Sequence, residues 1–283
     1  MTTPTPWRLA NAAGRAVLVI DDGVYDLECH SAGRYGSDPM EALRHHDGLG
    51  ALAASLVGTP ADGPLVLADL GPPVPRPQKI FGVGLNYRDH AAESAMELPA
   101  EPLVFTKFPN CLSGPAADVP VHGTRTDWEA ELVVVIGRRG RDIAVADAWD
   151  HVAGLTCGQD ISDRRLQLAV KPPQFSLGKS YDGFGPTGPV VASLGCFADP
   201  TDLGITCERN GEVVQAARTS GMIFPVAELI AYLSSICTLE VGDLIFTGTP
   251  DGVGMARGVF LGDGDVLRTI IQGIGTMVNV CRA

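Results

Sequence analysis

The chain has 283 residues, 45% of them hydrophobic and 19% charged, with a formal net charge of −12. That length supports one large core or a core plus a smaller unit, and the acidic balance excludes the basic footprint of a nucleic-acid binder. Seven scattered cysteines without a CxxC pair argue against a disulfide framework or a zinc site and fit a reducing cytoplasm. The start lacks the apolar stretch of a signal peptide, and no run reaches the roughly 18 apolar residues of a membrane span.

In chain order, residues 7–27 alternate apolar and polar pieces around Asp21-Asp22-Gly23, which predicts a small β-hairpin with an acidic turn. Met40, Leu43, Leu49, Leu52 and Leu56 give residues 39–57 a helical pattern interrupted by Gly48 and Gly50. The proline cluster PPVPRPQ at 72–78 reads as a linker. It predicts a small α+β N-terminal domain over residues 1–73 and a main domain over 74–283. The main domain opens with a short buried strand at 79–84. A helix follows, capped by Asn86 or Asp89 and carrying His90 and Glu93. WEAELVVVI at 128–136 is strongly β-prone. Asn210-Gly211 between two β-prone runs signals a hairpin, and Pro225 opens a helix on Val226, Leu229, Ile230 and Leu233. Late strands are expected at 243–247 and 266–272. Strands outnumber helices and do not alternate with them, which predicts a mixed β fold with some α rather than a Rossmann sheet.

Glu129 and Glu131 lie two apart in a predicted strand, so both carboxylates project from one face. Their neighbours Leu132 to Ile136 are apolar, and like charges near a core need a cation or protons to neutralise them. An isolated pair of this kind is ordinarily a solvated edge. Asp160, at the end of a second predicted strand, shifts the balance. Three carboxylates form an all-oxygen set suited to Mg²⁺, Mn²⁺ or Ca²⁺, not zinc. Glu93, three residues after His90 on a helix, shares its face and can orient the imidazole for water activation. Gly178-Lys179-Ser180 mimics the end of a phosphate loop, but Pro173 stands where that motif needs glycine, so nucleotide binding is rejected and Lys179 remains as a cation near the carboxylates. In GTPDGVG, 248–254, Gly248 permits close backbone approach and Thr249 offers a hydroxyl and an N–H to an anionic ligand. His45, His46 and His122 have no partners at ligand spacing and read as structural or exposed.

These segments together resemble the fumarylacetoacetate hydrolase superfamily. The matching stretches are KIFGVGLNYRDHAAE, PLVFTKFPN, DWEAELVVVIG, AGLTCGQDIS, SLGKSYDGFGPTGP, MIFPVAELIAYLS and GDLIFTGTPDGVG, in the family's order. The resemblance implies a distorted β-sandwich roll around a divalent metal, Mg²⁺ first, in a homodimer. It implies metal ligation by Glu129, Glu131 and Asp160 and water activation by His90 with Glu93. Lys179, with Lys107 and Arg88, would face the carboxylate or enolate of a small 2-oxo or 2-enol acid, and Gly248 and Thr249 would hold its other end. The chain departs from the common pattern at Gln159, in KSYDGFGP, and at Leu85, where many acylpyruvate hydrolases carry Arg. The activity so implied is hydrolysis of a carbon–carbon bond in a 2,4-dioxo acid through a metal-stabilised enolate. Isomerisation of a 2-hydroxymuconate-type diacid and decarboxylation of oxaloacetate use the same site. A non-catalytic metal-bound binding protein is the alternative from another class, and the His90–Glu93 dyad argues against it.

Overall fold

The computed structural model describes residues 5–93 and 98–283. The alternating N-terminal stretch forms β1 (Arg8–Ala12), β2 (Arg15–Ile20) and β3 (Gly23–Asp26), a three-strand meander where a single hairpin is expected. Ala13-Gly14 supplies the extra turn, both residues having positive φ (48° and 86°). The helical pattern divides into α1 (Pro39–Arg44) and α2 (Leu49–Ser55), joined by a 3₁₀ turn at His46–Gly48, because glycine is a poor helix former. The proline segment is irregular but not loose. Val74 is buried, and Asn11 Nδ2 donates to the Pro72 carbonyl at 2.9 Å.

The remaining chain supplies β4 (Ile80–Gly84), α3 (Arg88–Glu93), β5 (Leu103–Thr106), β6 (Ala130–Ile136), β7 (Val152–Gln159) and β8 (Gly185–Ala192). Then come β9 (Gly204–Arg209), β10 (Glu212–Arg218), α4 (Val226–Ile236), β11 (Leu244–Phe246), β12 (Val266–Ile271) and β13 (Gly275–Arg282). A twelve-stranded mixed sheet runs β3, β2, β1, β8, β7, β6, β11, β4, β5, with short strands completing it. The N-terminal meander joins this sheet through β1, with Arg8 opposite Ala192. A second, five-stranded sheet runs β10, β9, β12, β13 and a short strand at Val119–Pro120. Strands β6, β7 and β8 pack on β9, β12 and β13, so two sheets enclose the core in the sandwich-like arrangement expected. β6 is fully buried from Leu132 to Ile136, as a strand covered on both faces must be. Asn210 and Gly211 both have positive φ and close the β9–β10 hairpin. No helix among the described residues is long and apolar enough to cross a membrane.

The expected cap of α3 differs. Asp89 lies inside the helix, and the Asn86 side chain turns inward instead. Its Nδ2 donates to the carbonyls of Phe224 (3.0 Å) and Thr247 (2.7 Å), and its Oδ1 accepts from Phe224 N–H (2.8 Å). Leu85, at φ 54°, makes the left-handed turn between β4 and this residue. Asn86 thus ties the end of β4 to the segments preceding α4 and following β11. Replacing it with Ala strands buried backbone groups, and Asn86→Ala should cost about 1–3 kcal/mol in denaturant unfolding, read as a lower midpoint with unchanged slope.

Candidate functional site

β6 and β7 pair antiparallel with Ala130 opposite Gln159 and Glu131 opposite Gly158, and Asp160 N–H donates to the Glu129 carbonyl at 2.9 Å just beyond them. That register brings Glu129, Glu131 and Asp160 together, with one oxygen of each within 4.8 Å of the others, and all three are buried. Three anions at such spacing repel strongly unless they are compensated.

Compensation comes from three buried cations. Lys179 Nζ donates to Glu129 Oε2 at 2.6 Å and to Asp160 Oδ2 at 2.7 Å. Lys107 Nζ donates to Asp160 Oδ1 at 2.7 Å, to the Phe184 carbonyl at 3.1 Å and to the Lys179 carbonyl. Arg164 spans Asp127 Oδ2 (2.7 Å) and Glu129 Oε1 (2.6 Å) and reaches Gln167 Oε1 (3.0 Å). Burial works against ionising Glu129, but Lys179 and Arg164 outweigh it and hold the carboxyl down at about 2. Burial also disfavours charge on Lys179, yet Asp160 and Glu129 raise it above its ordinary value. Glu131 has no cationic partner among the described residues; it accepts only from Gly248 N–H, at 2.7 Å. Burial, then the charges of Asp160 and Glu129, push its carboxyl well above the usual range. An all-carboxylate donor set with one member left uncompensated fits a hard divalent cation.

The Gly248 contact depends on the backbone. Gly248 has φ 95°, and a Cβ there would meet Asn86 Cβ at 2.8 Å and the Val83 carbonyl at 2.9 Å. Thr249 Oγ1 donates to the Ala130 carbonyl at 2.9 Å, so its hydroxyl pins this loop to β6. His90 is buried, its Nδ1 has no hydrogen-bond partner among the described residues, and Glu93 Oε2 lies 3.6 Å from it, beyond bonding distance. Glu93 instead accepts from Gly252 N–H at 3.2 and 3.0 Å. A cavity of about 420 Å³ is lined by Glu129, Lys179, Arg164, His90, Glu93 and Thr249 together with apolar side chains.

The structure thus places Glu129, Lys179, His90, Glu93 and Thr249 on one cavity, with Glu131 and Asp160 clustered against Glu129 outside its lining. Gly248 stands behind it as a donor to Glu131. Lys107 is fully buried beneath Asp160 and does not line the cavity, and Arg88 is exposed and outside it. The sequence analysis does not single out Arg164 or Gln167. Asp163 caps the short helix Arg164–Gln167, accepting from Arg165 and Leu166 N–H, and this aims Arg164 inward. The available signal was an arginine four residues after Asp160. Gln159 and Gln215 were also missed as parts of the site: their Oε1 atoms accept from Glu129 N–H (3.0 Å) and Ala130 N–H (2.9 Å).

Two outcomes test this arrangement. Because the Glu131 pKa is raised in the fold, its ionisation destabilises the metal-free protein increasingly as pH rises above the ordinary carboxyl value of about 4.3. Glu131→Gln should therefore raise the melting temperature of chelated protein at pH 8, change it little at pH 4, and abolish the stabilisation given by Mg²⁺ or Mn²⁺. Lys107→Met removes the ammonium shared by Asp160 and two carbonyls; it should cost about 3–5 kcal/mol in chemical denaturation, as expected for breaking a buried ion pair from one side.

Residues 79–282 match the family described as Fumarylacetoacetate (FAA) hydrolase C-terminal. The human oxaloacetate tautomerase FAHD2A, mitochondrial, is 43% identical over 233 residues, 81% of this chain and 73% of the relative. Among solved structures, a Mycobacterium smegmatis protein provisionally assigned as HpcE is 47% identical with a TM-score of 0.89, covering 97% of this chain and 99% of that one. The maleylpyruvate hydrolase of Sphingobium sp. SYK-6, in complex with manganese(II) and pyruvate, is 31% identical with a TM-score of 0.80, covering 97% of this chain and 98% of that one.

Proposed function

The chain belongs to the fumarylacetoacetate hydrolase family, whose members are enzymes, and on that premise we propose that it interconverts the keto and enol forms of a small 2-oxo carboxylate. The carrying observation is that His90, whose buried Nδ1 has no hydrogen-bond partner among the described residues, opens onto the same cavity as Lys179 and Glu129 of the carboxylate cluster. The naming of the 43% identical relative as a tautomerase supports the same reading. Glu129, Glu131 and Asp160 would hold a divalent ion, Mg²⁺ or Mn²⁺, which when bound supplies Lewis-acid charge to the carboxylate and 2-oxo group of the substrate. Lys179 stays protonated between Glu129 and Asp160 and adds positive charge where enolate charge develops. His90 takes a proton from the carbon next to the 2-oxo group, and the proton returned to oxygen completes the tautomerisation. Glu93, placed by Gly252 N–H within 3.6 Å, favours the imidazolium that forms.

Hydrolysis of a carbon–carbon bond in a 2,4-dioxo acid is the second reading, with His90 acting on water. The likeness to maleylpyruvate hydrolase favours it. A homodimer in a reducing compartment, the cytoplasm, completes the proposal; seven free thiols support the compartment and light scattering reads the assembly directly. The decisive assay follows enol absorbance of oxaloacetate and loss of acylpyruvates, each with Mg²⁺ or Mn²⁺ and after EDTA. Full rates in chelated protein would overturn the proposal. His90→Ala should lower turnover by roughly 10²–10⁴-fold while the metal-induced rise in melting temperature survives.

A further inference from the structure

The cavity has two unlike parts. Glu129, Arg164 and Lys179, with His90 beside them, make its charged floor, whereas Leu85, Leu103, Phe105, Leu168, Phe175 and Met255 dominate the rest of its lining. Phe105 joins the two: its ring centroid lies 5.2 Å from Lys179 Nζ and 5.7 Å, edge to face, from that of Phe175. Leu103, Leu168 and Met255 are 40%, 47% and 40% exposed, an apolar rim left wet around the opening of a charged site. Leu85 holds a left-handed backbone conformation (φ 54°) that a residue of its bulk rarely adopts, and its side chain lines the cavity.

No cation serves this apolar part. Among the described lining residues the only Lys and Arg are Lys179 and Arg164, and both are engaged by the floor's own carboxylates. Residues 94–97, outside the described part, contain neither Lys nor Arg in sequence. A second carboxylate seated against the leucine and phenylalanine side chains would be desolvated without a partner, which costs far more than the cavity returns. An alkyl or aryl group there gains burial and covers the rim. The volume of about 420 Å³ falls within the roughly 300–1,000 Å³ of clefts that enclose a whole small ligand.

We propose that the substrate carries an uncharged apolar substituent, alkyl or aryl, on its 2-oxo acid head, and that Leu85 is the specificity-determining contact that selects it over a second carboxylate. The proposal rests on the reading of the site as one for 2-oxo acids. Two pairs of probes separate the claims. In the first, phenylpyruvate and oxaloacetate are compared as tautomerisation substrates, and phenyl- and carboxyl-ended 2,4-dioxo acids as hydrolysis substrates. In the second, N-phenyloxamate and N-oxalylglycine, which share one head and differ in a phenyl or a carboxylate end, are compared by calorimetric titration in Mg²⁺, which requires no turnover. The apolar member of each substrate pair should have a kcat/KM about tenfold or more higher, the scale on which apolar pockets discriminate. N-phenyloxamate should bind more tightly than N-oxalylglycine by a similar factor.

Leu85→Arg should reverse the substrate preference, lowering kcat/KM for the phenyl substrate and raising it for the diacid. Met255→Lys, at a half-exposed position that tolerates charge, makes the same test independently of any folding defect at Leu85. A wild-type preference for the diacid overturns the inference while leaving the proposed reaction intact. Absence of turnover with retained preference for N-phenyloxamate overturns the proposed reaction and supports the apolar subsite. An unchanged substrate ratio in both variants removes Leu85 from the specificity role and overturns the proposal.

Discussion

Three carboxylates brought together inside a protein are the constraint on which the rest of this structure depends. Two unit charges 4 Å apart interact by about 4 kcal/mol even at an effective dielectric constant near 20, so the cluster formed by Glu129, Glu131 and Asp160 requires cations wherever it is buried. Lys107, Lys179 and Arg164 meet most of that demand, and each is itself buried by necessity. With Asp127 drawn in to hold Arg164, four carboxylates face three cations, and the unmatched charge falls on Glu131. Completing the set with a divalent ion therefore relieves a strain that the side chains alone leave in place.

Neutralising the charges does not place them; the second sheet does that. Gln215 on β10 accepts from Ala130 N–H, and its Nε2 donates to Thr249 Oγ1 and the Pro250 carbonyl, so β6 and the loop after β11 are held by one side chain. Gln159 links Glu129 N–H to Thr269 on β12 in the same way. Asp127 accepts from Gly254 and Met255 N–H, and Trp128 Nε1 donates to the Gly252 carbonyl. Gly252 N–H is then free to hold Glu93 from the far side of the cavity. A side chain at Gly252 would place its Cβ 2.0 Å from the Val214 carbonyl, so the loop approaches β10 as closely as backbone can. His90 with Glu93 and the carboxylate cluster share one frame, because the loop after β11 that holds Glu93 is tied through Gln215 and Trp128 to the strand carrying the carboxylates.

Local pattern made much of this readable in the sequence. The spacing of Glu129 and Glu131, the run of buried β-formers after them, Asp160 at a strand end, the Asn210-Gly211 turn and the helix over Val226–Ile236 all stand where periodicity and turn chemistry put them. What escaped depends on contacts between distant segments. Lys107 is expected to face the substrate, yet it is enclosed because Asp160, 53 residues later, and the Phe184 carbonyl converge on it. Arg164 in a polar triplet looks solvated until the Asp163 cap turns it toward Asp127 and Glu129. Asn86 resembles a helix cap because asparagine commonly is one; here the carbonyls of Phe224 and Thr247 compete for the same side chain and win. Composition also suggested one hairpin at the N-terminus, since the weak Ala13-Gly14 turn carries none of the acidic signal of Asp21-Asp22.

The same accounting explains how one floor can serve several reactions in a family that includes proteins named as tautomerases, isomerases and hydrolases. The floor has little freedom to vary. Changing Lys179, Lys107 or Arg164 leaves a buried carboxylate uncompensated, and changing a carboxylate leaves a buried cation so. Variation that preserves the fold must therefore fall on groups outside this closed charge network. The cavity offers two such groups. One is the apolar lining at Leu85, Phe175 and Met255, which carries no structural charge and, on the proposed reading, selects what extends beyond a 2-oxo acid head. The other is the distance from His90 to Glu93, two residues of one short helix, with Glu93 held by the backbone N–H of Gly252. On the proposed reading substrate choice belongs to the first and proton transfer to the second, while the charged floor, constrained by its own electrostatics, is common to both.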